Sequence, residues 1–158
     1  MWKRWNNLQS RFAGDWWSNR SARPKTRRAL QTVAKQIPDV DLRRIPRRII
    51  VCAPDPCLAG QVSIDNPRNK YLLYLSPQLE VVPQKEVNSI VAHEFAHLVL
   101  KDWMSASTGN YGPGGALLPC EKAADKLMES WGFDPMIRAR YVPDLLRRVR
   151  ATRPRSRR

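Results

Sequence analysis

PQKEVNSIVAHEFAHLVL, residues 83–100, holds both histidines of this 158-residue chain, four positions apart around a glutamate. Val87, Ile90, Val91, Phe95, Leu98 and Val99 recur at three- and four-residue steps, and Pro83 suits a first helical turn. The segment is therefore expected to be an amphipathic helix that buries its aliphatic side and carries both imidazoles to the edge of a cleft. On such a helix His93 and His97 stack on one face, where two rings can close on a single ion. The helix is expected to continue through Leu98-Val99-Leu100 toward Asp102 and Trp103. Small and turn-forming residues between Ser105 and Pro119 stop it.

His93-Glu94-Phe95-Ala96-His97 is the HExxH pattern, in which the histidines ligate zinc and the glutamate, beside the metal-bound water, is the general base. An ordinary amphipathic helix with polar residues on one face is the competing reading. Catalytic zinc usually takes three protein ligands and keeps one position open. No third histidine exists, which excludes families that recruit one downstream. Glu121 is the candidate, opening a second helix patterned by Ala124, Leu127, Met128 and Trp131 and closed by Gly132. Its plainer role would be a glutamate favoured by a helix N-terminus. Asp125, one turn later on the same face, could hold a ligand imidazole in its tautomer, or could simply be solvated.

These residues resemble a known group. HExxH followed by Glu121-Lys122-Ala123-Ala124-Asp125 is similar to the gluzincin metallopeptidases. The short spacing and the lead-in Tyr71-Leu72-Leu73-Tyr74-Leu75-Ser76-Pro77 are most similar to compact ImmA/IrrE-like intracellular peptidases. The resemblance covers about residues 47 to 134. It implies zinc, peptide-bond hydrolysis, and a small sheet packed on the motif helix. His93, His97 and Glu121 match the metal ligands, and Glu94 matches the base. Members of that group more often have Asn where Asp125 stands.

Hydrolysis of this kind needs a group to stabilise the oxyanion, and no histidine is left for it. That leaves a tyrosine, an arginine or a backbone N–H; Tyr111, in the glycine-rich loop between the two metal helices, and Tyr141, after them, could reach the site, with a surface role as the alternative for each. Three cysteines, an odd number, fit a reducing compartment, and the N-terminus lacks the apolar run of a signal peptide, so a cytoplasmic location is expected. Cys52 and Cys57 flank a Pro-rich turn and form only a weak structural-zinc signal. Cys120, beside Glu121, could compete for the metal or act as a redox brake, or be a small buried residue. No apolar run approaches membrane-spanning length.

Charge is segregated along the chain. Residues 1–50 carry thirteen Lys/Arg against three Asp/Glu, residues 51–135 six against ten, and residues 136–158 nine against one, for a net +14. Basic ends of this kind suit nucleic acid or an anionic membrane surface. They could also be solvated arms, or dock on the acidic middle. Trp2, Trp5, Leu8 or Gln9, Phe12 and Trp16 fall on one helical stripe, suited to a membrane interface or to packing on the domain or a partner. A second helix is expected from Lys25 to Gln36, before Pro38. The tail beyond about Arg150 has a disordered composition.

Arg48 to Ala53, Gln61 to Asp65 and Lys70 to Leu75 have strand composition, with Asn66-Pro67-Arg68-Asn69 as a hairpin connection. The expected fold is α+β: a small zincin-like core of about three short strands packed on the HExxH helix and the following ligand-bearing helix, flanked by basic helical arms. Its expected divisions are a Trp-rich basic arm at 1–46, the metallopeptidase-like core at 47–135, and a basic helix and tail at 136–158. Gly112-Pro113-Gly114-Gly115 lacks the lysine of a phosphate loop. Two functions compete. One is a zinc metallopeptidase acting on a protein or peptide substrate. The other is a non-catalytic, zinc-stabilised binding protein of phage or mobile-element origin that holds a polyanion or protein partner. A structural clamp has no need of Glu94, which favours the enzyme.

Overall fold

The helix expected from the opening stretch forms at Gln84–Leu100, but from Val87 to Val99 protein covers it on nearly every side. The computed structural model describes residues 12–13, 23–46, 49–52, 60–65, 70–102 and 119–137. In chain order these hold β1 (Phe12–Ala13), α1 (Pro24–Gln36), α2 (Asp39–Arg44), β2 (Ile49–Cys52), β3 (Gly60–Asp65), β4 (Lys70–Leu75), a short helical turn (Pro77–Val81), α3 (Gln84–Leu100) and α4 (Pro119–Ser130). From Val87 to Val99 only Asn88 escapes full burial. The periodic pattern marks the large aliphatic side of α3. Ser89, Ala92 and Ala96 lie on another side and are buried as well, because side chains that small let neighbouring backbone come close. A helix covered all round belongs inside a core. Elements α1, α2, α4 and β3 all pack against it.

The strands form one mixed sheet in the order β1-β2-β4-β3. β2 runs parallel to both β1 and β4, whereas β3 and β4 are antiparallel, with Asp65 opposite Lys70 across the expected hairpin. Ile49 and Val51 of β2, and Leu73 and Leu75 of β4, alternate along their strands and are buried. All three expected strands are present within a residue or so of their expected limits. The fourth strand is a correction. Phe12 was expected on a helical stripe, but Phe12–Ala13 pairs with Ile49–Ile50 and covers one edge of the sheet. The rest of that stripe lies outside the described residues, as does everything after residue 137, including the expected C-terminal tail.

The expected division at residue 46 does not follow the packing. Ala29, Leu30, Val33, Ala34 and Ile37 share a core cluster with Leu42, Ile45, the sheet, α3 and α4. Their spacing puts them on one stripe of α1, which lies along α3. Residues 24–46 are thus part of the core, not an arm. Helix α2 is tied in by Trp131, whose indole N–H donates to Asp41 Oδ2 at 3.0 Å. Helix α4 ends as expected near Gly132, whose φ of +86° is a conformation that glycine adopts without a Cβ penalty. The turn lets Phe133 N–H donate back to Met128 O at 3.1 Å and tucks the Phe133 ring inward. No helix among the described residues is long and apolar enough to cross a membrane.

Helix α1 has no side-chain cap of its own at Arg23. Glu80, from the turn before α3, takes that place. Its carboxylate accepts from the Lys25 and Thr26 backbone N–H groups, both at 2.9 Å, and from the Thr26 hydroxyl at 2.6 Å. A negative charge there also complements the positive end of the helix. Lys25 Nζ donates to Val82 O, and Gln84 Nε2 donates to Lys25 O, so the starts of α1 and α3 are sewn together. Glu80→Ala should lower unfolding stability by about 1–2 kcal/mol, the usual cost of a lost cap, and Glu80→Gln by less. Urea denaturation measures both.

Candidate metal centre

Helix α4 docks through a stripe made of Glu121, Ala124 and Met128, all buried, so the apolar contacts that hold it also carry a carboxylate inward. The carboxylate arrives opposite the two imidazoles of α3. His93, His97 and Glu121 are only 2%, 5% and 3% exposed, and one ligand atom from each lies within 4.8 Å of the others. His93 Nε2 is 3.0 Å from His97 Nε2 and 3.2 Å from Glu121 Oε2. His97 Nε2 is 3.5 Å from Glu121 Oε1. Ligands about 2.1 Å from a tetrahedral ion stand about 3.4 Å apart along each edge. The three separations lie close to that length, with His93 and His97 facing different oxygens of the Glu121 carboxylate, and two imidazole nitrogens with one carboxylate suit a divalent metal ion.

The remaining ring nitrogens are held from outside. His93 Nδ1 donates to Asp125 Oδ1 at 2.9 Å, the contact that its position one turn after Glu121 made expected. His97 Nδ1 donates to Asp102 Oδ1 at 2.7 Å. Both rings therefore turn Nε2 toward the centre, with their planes 86° apart. Asp102 was missed as a site residue, because α3 was expected to run on toward it. Helix α3 stops instead at Leu100, and Lys101 takes a left-handed conformation, φ 59° and ψ 35°. A lysine there gives no sequence signal for that turn. The carboxylate five positions past the second histidine was the available clue.

Glu94 is 7% exposed on the same helix, and its charge acts on His97. Tyr111 and Tyr141 lie outside the described residues. Cys120 is a free, half-buried thiol that does not belong to the His93, His97 and Glu121 group. No protein-family model, curated protein or solved structure matches the chain.

Protonation follows from these contacts. Burial disfavours charge on His97, but hydrogen bonds to Asp102 and Glu121 and the charges of Glu94 and Asp102 outweigh it, and its pKa is pushed up to about 10. Burial likewise disfavours the Glu121 carboxylate, yet hydrogen bonds from His93 and His97 and the charges of those rings hold it well below the usual carboxylate range. Without metal, an imidazolium and a carboxylate thus satisfy each other. The His97 contribution to stability is full below its ordinary value of 6.5 and fades as pH rises toward about 10. The Glu121 contribution is full above its ordinary value of 4.5 and is lost on acidification below it. Chelator-treated protein should therefore draw most stability from this cluster between about pH 4.5 and 6.5. A metal must displace the His97 proton, so its affinity should climb with pH until that ring titrates at about 10. Thermal melts across pH, with and without added zinc, check both trends.

Proposed function

We propose that this protein is a zinc-dependent peptidase. The observation that carries the proposal is a buried carboxylate, Glu94, beside a His93–His97–Glu121 donor set whose spacing suits a tetrahedral ion. When bound, zinc would supply an acidified water and a Lewis acid for the scissile carbonyl. Glu94 would take the proton from the attacking water and return it to the departing amine. Asp125 and Asp102 keep the imidazoles turned so that Nε2 faces the centre. Peptide as the substrate class rests on the resemblance of HExxH and the Glu121–Asp125 segment to gluzincins, the ImmA/IrrE-like ones among them.

The competing reading is a structural clamp. Structural zinc sites close the ion with four protein ligands, whereas the donor set among the described residues stops at three. A three-residue donor set with an adjacent carboxylate favours catalysis. The net charge of +14 makes nucleic acid or another anionic surface the expected docking target, which would bring the peptidase to proteins assembled there.

Purified full-length protein should contain close to one zinc per chain by elemental analysis, and Glu121→Ala should lose most of it. Glu94→Gln should keep its zinc while hydrolysis of a mixed peptide library falls by about 10²- to 10⁴-fold, the usual share of a general base. Undiminished hydrolysis by Glu94→Gln would remove the proposed base.

A further inference from the structure

The geometry points to Asp102 as a positioning residue that fixes His97 for metal binding, an assignment that rests on the zinc reading above. The two imidazoles are gripped by aspartates that arrive by different routes. Asp125 sits one turn beyond Glu121 on α4, so a regular helix delivers it. Asp102 has no such route. If α3 continued, residue 102 would lie about 7.5 Å further along the axis from residue 97 and about 140° around it. That is the wrong side for a contact with the His97 ring.

The left-handed turn at Lys101 solves this. Its backbone N–H caps the helix by donating to His97 O at 2.8 Å, and the chain then turns so that Asp102 Oδ1 meets Nδ1 of the same histidine at 2.7 Å. A non-glycine residue is disfavoured in that conformation, because its Cβ crowds the following carbonyl. The strained turn and the carboxylate therefore act together on one ring. With Nδ1–H committed to Asp102, Nε2 is left for the ion, and the anionic partner makes the ring a stronger donor. His97 is enclosed enough to feel this, with a side chain 7% exposed against 19% for Asp102.

The test is zinc affinity on the full chain, measured by competition with a chromophoric chelator, for wild type, Asp102→Ala and Asp102→Asn. Asp102→Ala should weaken zinc binding about 10- to 100-fold. Asp102→Asn keeps an oxygen that can accept from Nδ1–H and should lose less. Lys101→Gly, which tolerates the turn, should bind as wild type does. Heteronuclear NMR of the zinc-loaded protein should show His97 protonated at Nδ1 in wild type and a mixture of tautomers in Asp102→Ala. Circular dichroism identifies any variant that fails to fold, and if Asp102→Ala does, the milder Asp102→Asn decides. Wild-type affinity and an unchanged His97 tautomer in the Asp102 variants would overturn this assignment while leaving the zinc site intact. A wild-type chain that takes no zinc would sink both. Zinc-loaded wild type that weakens as expected on Asp102 substitution but hydrolyses nothing would sink only the peptidase reading.

Discussion

Two imidazoles and a carboxylate are buried at the junction of α3 and α4, and each must find a partner there. A buried charge left alone costs several kcal/mol, more than a small domain can spare. The solution is reciprocal. His97 and Glu121 hold opposite charges in the metal-free molecule, and His93 lies against both. Asp125 and Asp102 occupy the outer ring nitrogens, so no imidazole nitrogen of the pair lacks a partner. The same separations suit a divalent ion, so exchanging a proton for a metal requires little movement of the framework.

What fixes those positions is packing. Helix α3 is covered by α1, α4 and the sheet, and a side chain on an element buried all round has few alternative places to go. Glu121 comes inward on the stripe that also holds Ala124 and Met128. The catalytic-looking residues and the apolar core are therefore one construction. A cavity opened at Phe95 or Met128 would be felt at the donor atoms.

Much of the site was legible in the letters, because HExxH on a periodic helix constrains three residues at once, and Glu121 and Asp125 follow from helical spacing on a second one. The three strands were legible for a similar reason: β-branched and aromatic runs bounded by turn residues. The failures have a physical pattern too. The burial of α3 on its small side was hidden because Ser89, Ala92 and Ala96 give weak periodic signals. Residues 24–46 looked like an arm because Arg27, Arg28, Arg43 and Arg44 dominate their composition, while the stripe Ala29–Leu30–Val33–Ala34–Ile37 that binds them to the core is modest in size. Phe12 pairs with a strand that begins 37 residues later, at Ile49, so the pattern of its own neighbours carries no sign of that sheet edge. Asp102 depended on a left-handed lysine, which no propensity favours.

The Glu80 contact with the start of α1 carries a consequence for biosynthesis. The two backbone N–H groups it satisfies lie 54 and 55 positions earlier in the chain. On the ribosome, helix α1 would emerge with its leading end uncapped and its apolar stripe exposed until residue 80 and the segment behind it have left the exit tunnel. Helix α1 therefore waits, uncapped, for the centre of the protein to be made, and that interval is when a chaperone would find most of it to hold.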